Sequence, residues 1–150
     1  MTNSNNLIDS LEVYVLNNPD DVKPHWVSHF IVPTANELLI KIKNKNGNSG
    51  FGLATSYSDI SPIIKPFSNG LQDFIIGQDP FCPEKIYESI SKLTDTRISS
   101  EEGWGKEALI RISAALDIAC WDLMGNSSNI PLYKLFGGYR NKIPVYVTCG

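Results

Sequence analysis

At 150 residues, 42% apolar and 19% charged, the chain has the composition of one globular domain, able to bury roughly two-thirds of its unfolded surface. A net charge of −3 and an isoelectric point of 5.3 exclude the positive field that nucleic acid or an anionic membrane would need, and no apolar run approaches the roughly 20 residues of a membrane helix. Three scattered cysteines, Cys82, Cys120 and Cys149, form no CxxC pair, and the polar start has no basic-then-apolar leader, so a reducing cytoplasm is the expected compartment.

Residues 1–10 read as a polar tail. Leu11-Glu12-Val13-Tyr14-Val15-Leu16 predicts a first strand, ended by Asn17-Asn18-Pro19-Asp20-Asp21. Residues 17–34 read as a loop carrying Pro24, His25, Trp26, His29 and Phe30. Residues 37–43 alternate as a second strand, Asn46-Gly47-Asn48-Ser49-Gly50 turns it, and residues 51–57 return as a third. Consecutive strands with short polar turns predict an antiparallel meander.

The texture then becomes helical. Asp59 is placed to cap a helix containing Ile60, Ile63, Ile64 and Phe67, and Pro83-Glu84 opens another with Ile86, Ile90 and Leu93 at helical spacing. The longest helix is expected over residues 105–124, closed by Gly125-Asn126, with Glu107 four residues before Arg111 on an exposed face. From Ile112 to Trp121 it is apolar around nearly its whole girth, and Ser113, Ala114, Ala115 and Ala119 admit close neighbours, so it is read as central. A short helix over residues 131–136 stops at Gly137-Gly138, and residues 143–150 begin a new strand. Three strands, then helices, then a lone strand describe an α+β domain followed by the start of something else.

The stretch from Ala114 to Gly125, with Ala115, Asp117, Ala119, Trp121, Asp122 and Gly125 at its fixed positions, precedes Pro131-Leu132-Tyr133-Lys134-Leu135-Phe136-Gly137-Gly138. Together they resemble the A-x-D-x-A-x-W-D-x-x-G helix and P-[LV]-[YW]-x-L-[LF]-G-G turn of mandelate racemase and muconate lactonizing enzymes, in the enolase superfamily. Ile76-Gly77-Gln78-Asp79-Pro80 is similar to that family's G-x-D-P turn. The resemblance implies that residues 11–138 are the capping domain and residues 139–150 the start of a C-terminal β/α barrel that is missing here. It also implies a Mg2+-dependent parent that abstracts the proton alpha to a carboxylate. A sugar-acid dehydratase is the first expectation; a racemase, epimerase or cycloisomerase, or a stand-alone binding domain without catalysis, are the alternatives. The family's metal ligands and bases are expected beyond residue 150, so the chain alone is expected to be inactive, and the parent to be a homo-oligomer acting on a small carboxylate.

Candidate site residues are few. Asp117 and Asp122 lie roughly 140° apart on their helix and cannot chelate one ion together. His25 and His29 have the i, i+4 spacing of a zinc pair, but Pro24 and the surrounding Trp26, Val27, Phe30, Ile31 and Val32 argue for loop or strand. In the family the corresponding loop folds over the barrel mouth, which implies His25, Trp26 and His29 as substrate contacts and Tyr57 as part of a second specificity loop. Aromatics that merely fill the seam between cap and barrel are the other reading. Gly50-Phe51-Gly52 has no following helix to present amides to a phosphate, so close backbone packing is expected there. Gly103-Trp104-Gly105 is either a hinge or a surface anchor.

Overall fold

The computed structural model describes residues 4–17, 23–27, 29–32, 36–57 and 59–147. Its sheet is a meander of β1 (Ile8–Leu16), β4 (Asn36–Asn44) and β5 (Ser49–Ser56) in the order β1-β4-β5, antiparallel throughout. The expected three strands are therefore present, each longer than its sequence pattern suggested. Ile8 extends β1 past a register shift: it is buried, its N–H donates to Gln78 O at 2.9 Å and its carbonyl accepts from Gly77 N at 2.8 Å. The segment read as an aromatic loop instead holds a second, two-stranded sheet, β2 (His25–Val27) with β3 (Phe30–Val32). β-Branched and aromatic residues on both sides of a two-residue turn outweighed the proline that had suggested a loop.

Helices cover one face of the meander. They are α1 (Ser61–Ser68), α2 (Pro83–Leu93), α3 (Arg97–Glu102), α4 (Lys106–Ser128) and α5 (Leu132–Leu135), with a 3-10 turn at Leu71–Phe74. The N-cap of α1 is Ile60 instead of the expected Asp59, which stands one residue earlier and whose Oδ1 accepts from Ser61 N at 3.0 Å and Ser61 Oγ at 2.7 Å. Alternation on the strands decides the core. Leu38, Ile40 and Ile42 face inward with Gly50, Gly52 and Ala54, and α4 meets them with Ile112, Ala115, Leu116, Ala119 and Leu123. Each fully buried Leu or Ile contributes about 1.5–3 kcal/mol. α2 packs on another side of α4 through Ile86 and Ile90, which makes α4 the central helix.

Small residues bring α4 unusually close to the sheet. A Cβ on Gly52 would stand 1.9 Å from Ala115 O, and one on Gly50 would stand 2.0 Å from Ala119 O. The GxG is thus a backbone contact, as its context implied. Side chains of α4 also occupy one edge of β5: Asp122 Oδ2 accepts from Phe51 N at 3.0 Å, Asn126 Nδ2 donates to Ser49 O at 2.9 Å, and Arg111 Nη1 donates to Thr55 O. They do the work of a fourth strand.

Two expectations need correction. α4 does not stop at Gly125-Asn126: Gly125 is buried within it, and the left-handed residue is Asn129, φ 52°. Ile130 N donates to Gly125 O and Asn129 N to Asn126 O, a Schellman closure that Asn tolerates nearly as well as Gly. The strand expected over residues 143–150 is absent from 143–147, whose side chains are largely bare, because a strand exists only against a partner and none of the described residues offers one there. Thr148, Cys149 and Gly150 lie outside the described residues. No helix among the described residues is long and apolar enough to cross a membrane.

Candidate functional site

β1 ends, β4 begins and β5 ends on the same side of the meander, as the pairings Leu16↔Glu37 and Asn36↔Ser56 require. The hairpin β2–β3 is inserted between β1 and β4, and Tyr57 directly follows β5, so His25, Trp26, His29 and Tyr57 all issue from one end of the sheet. Trp26 pairs with Ile31 across the hairpin, and the two present an apolar face that is 73% and 48% exposed. Val32 behind them is buried and anchors the hairpin. His29, in the turn, and Tyr57 are both exposed. His25 forms the opposing pair with Val32, but its side chain lies outside the described residues. An exposed indole can shield a ligand, and an exposed imidazole can hydrogen-bond a hydroxyl or carboxylate.

Beside Tyr57 lies a depression of about 220 Å³ that the sequence did not announce, lined by Ser56, Asp59, Gly105, Glu107, Ala108 and Arg111 among others. Arg111 is locked on its floor by Glu107 Oε1 at 2.7 Å and by the Thr55 carbonyl, so it is less free than an exposed helix face had suggested. The hydrogen bonds from the Ser61 backbone and hydroxyl hold the Asp59 carboxyl below its ordinary range. The only sequence trace of this hollow was the Glu107–Arg111 spacing.

The helix carboxylates diverge as predicted. Asp122 is engaged with β5, whereas Asp117 lines a different hollow of about 580 Å³ with Phe81, Cys82, Lys85 and Trp121. Among the described residues no group of three His, Cys, Asp or Glu side chains could hold a metal ion. Burial, then the charges of Asp117 and Asp79, push the Cys120 thiol up to about 12. Trp104 is no surface anchor: it is buried, edge-on to Phe74 at 6.4 Å between ring centroids. Trp121 is covered by Phe136 at 4.8 Å.

Residues 10–137 match the model of the mandelate racemase / muconate lactonizing enzyme N-terminal domain. An L-Ala-D/L-Glu epimerase of Clostridium acetobutylicum is 33% identical over 131 residues, 84% of this chain and 33% of that protein. A D-galactonate dehydratase family member of Enterococcus gallinarum is 32% identical over 100 residues, 65% of this chain and 23% of its own. The crystal structure of a racemase from Streptomyces coelicolor with bound magnesium superposes with a TM-score of 0.71 at 27% identity, covering 89% of this chain and 36% of that one. The chain thus spans about a third or less of the length of the proteins it matches.

Proposed function

Because the chain belongs to the mandelate racemase / muconate lactonizing enzyme N-terminal domain family of the enolase superfamily, we propose that it caps and shapes the substrate pocket of an enzyme that abstracts the proton alpha to a carboxylate. One observation carries this reading: the end of the sheet bearing Trp26, His29 and Tyr57 has exposed aromatic and imidazole groups. A cap supplies water exclusion and contacts to the distal part of a substrate, and such contacts raise the effective concentration of the reacting form.

Magnesium is bound in the Streptomyces racemase. The donor set among the described residues does not fit that ion. Magnesium demands oxygen ligands in near-octahedral array, whereas Asp117 and Asp122 face apart and one oxygen of Asp122 already holds Phe51 N. Ligands and bases are therefore assigned to the part of the parent beyond this chain, and the chain alone is expected to be inert.

Dehydration of a sugar acid is the favoured reaction, since its polyhydroxy substrate suits the hydrogen-bonding His29 and Tyr57, and a galactonate dehydratase family member is among the relatives. Epimerisation of an Ala-Glu type dipeptide is the second reading, supported by 33% identity over 84% of the chain to such an epimerase. The test uses the polypeptide that joins this cap to its barrel, in deuterated water, with panels of sugar acids and dipeptides. Deuterium at the alpha carbon supports proton abstraction, while a keto acid marks dehydration and a diastereomer marks epimerisation. The absence of exchange, keto acid and diastereomer alike with every panel member would overturn the enzyme reading in favour of a binding domain.

A further inference from the structure

Tyr57 is exposed, yet the backbone on both sides of it is tied down. Before it, the Thr55 carbonyl faces the edge of β5 that no strand covers and accepts from Arg111 Nη1. Ser56, the last residue of β5, is buried, and its hydroxyl donates to the Asp59 carbonyl at 3.1 Å. After it, Asp59 Oδ1 accepts from the amide and hydroxyl of Ser61 where α1 begins. The bonds of Ser56 and Asp59 close the segment on itself and would travel with it. The Arg111 bond differs, because it ties the segment to α4 across 56 positions of chain.

Arg111 is itself kept from swinging. Glu107, one turn earlier on α4, takes Nε at 3.2 Å and Nη2 at 2.7 Å with the same oxygen. The guanidinium is a rigid planar fork, so fixing Nε and Nη2 also fixes the direction in which Nη1 points. Beneath lies the depression of about 220 Å³ lined by Ser56, Asp59, Glu107 and Arg111 among others, which leaves the segment room to shift once the brace is gone. We propose that Arg111 is a positioning residue: through the Thr55 carbonyl it fixes where Tyr57 stands at the mouth of the substrate pocket, and so acts on substrate turnover without touching substrate. This rests on the pocket reading above. A misplacement of about 1 Å at a positioned group can lower turnover by as much as about a hundred-fold.

The test has two arms. In the first, the chain carries 3-fluorotyrosine at all six tyrosines, and the Tyr57 fluorine resonance is the one lost in Tyr57→Phe. Arg111→Met removes the bonds to Thr55 and Glu107 but keeps an unbranched, helix-favouring side chain. It should shift or split the Tyr57 resonance and leave the other five unmoved. Asn126→Ala removes a like bond at the far end of β5 and should leave the Tyr57 resonance in place. In the second arm, on the polypeptide that joins cap to barrel, Arg111→Met should lower kcat/KM for the preferred substrate by roughly ten-fold. In a Tyr57→Ala background the same change should lower it by less than about two-fold, because the residue it acts through is gone. A Tyr57 resonance indifferent to Arg111→Met, an equal response to Asn126→Ala, or the same kinetic loss in both backgrounds would overturn the proposal. Should Arg111→Met fail to fold, Arg111→Lys replaces it in both arms, since one ammonium cannot reproduce the fork that holds Glu107 and Thr55 together. A parent inert towards every panel member would count against the pocket reading instead, and the fluorine spectra would still decide the brace.

Discussion

Gly52→Ala probes the closest approach in the molecule. The added Cβ would stand 1.9 Å from Ala115 O and 2.8 Å from Ala115 C, where ordinary contact begins at 3.4 Å, so α4 would have to withdraw by about 1.5 Å. The obstacle is helix backbone and cannot rotate aside. Overpacking alone costs about 1–3 kcal/mol. Withdrawal also stretches the hydrogen bonds from Asp122, Asn126 and Arg111 to β5, at about 1 kcal/mol each. The expected loss is about 4–6 kcal/mol, a large share of the roughly 5–15 kcal/mol that holds a domain together. In thermal melts this is a fall of roughly 10–20 °C. Urea titration followed by circular dichroism measures it, with Gly47→Ala as the reference. Gly47 has φ 87° but nothing within 4 Å of an added Cβ, so only left-handed strain of roughly 1–2 kcal/mol applies. A Gly52→Ala cost within about 1 kcal/mol of the Gly47→Ala cost would refute the close-packed account.

Asp122→Ala should cost about 1–2 kcal/mol in the same titration by stranding Phe51 N, while Asp117→Ala costs less than about 0.5 kcal/mol; equal effects would contradict the different roles given to the two carboxylates. Cys82 should react with an aromatic disulfide in the native state, and Cys120 only after denaturant is added, as counted by absorbance. The raised Cys120 pKa has a linked consequence: its contribution is fully present below pH 9, the thiol's ordinary value, and is lost as pH rises towards about 12, by up to about 1.4 kcal/mol per pH unit. Cys120→Ala should flatten that decline; an unchanged slope would place the thiol in a wetter setting. Trp26→Ala should leave the melting of the isolated chain unchanged within about 0.5 kcal/mol, since the indole is exposed. In the cap-plus-barrel enzyme the same change should alter KM or kcat, and unchanged kinetics there would reduce the hairpin to packing.

Much of the architecture was legible because period and punctuation agreed. Alternation in β4 fixed its inner face, Pro83 fixed the start of α2, and Ala115 with Ala119 signalled the close neighbour that proved to be Gly50 and Gly52. What escaped was decided by tertiary context. Gly125 read as a stop because glycine usually closes helices, yet Leu132 and Ile130 pack against it and the turn passes to Asn129. The α3 helix has only six residues and rests on the Thr96 cap and on Ser99, too short for a hydrophobic period to appear. Of the candidate site, the aromatic hairpin could be found from its composition. The hollow beside Tyr57 could not, because it gathers Asp59 and Arg111 from segments about fifty residues apart.

The three bonds from α4 to β5 impose a commensurability that neither element has alone. The fifteen steps from Arg111 to Asn126 rise about 22 Å as helix. The six steps from Thr55 back to Ser49 span about 20 Å as strand. The two lengths agree closely enough for polar groups at both ends to meet the same edge. One residue inserted between Arg111 and Asn126 would swing Asn126 about 100° off that edge and move it on by about 1.5 Å. One residue inserted in the turn between β4 and β5 disturbs no such match. Length in this fold is therefore free in its turns and fixed along α4, which works as a ruler cut to the strand beside it.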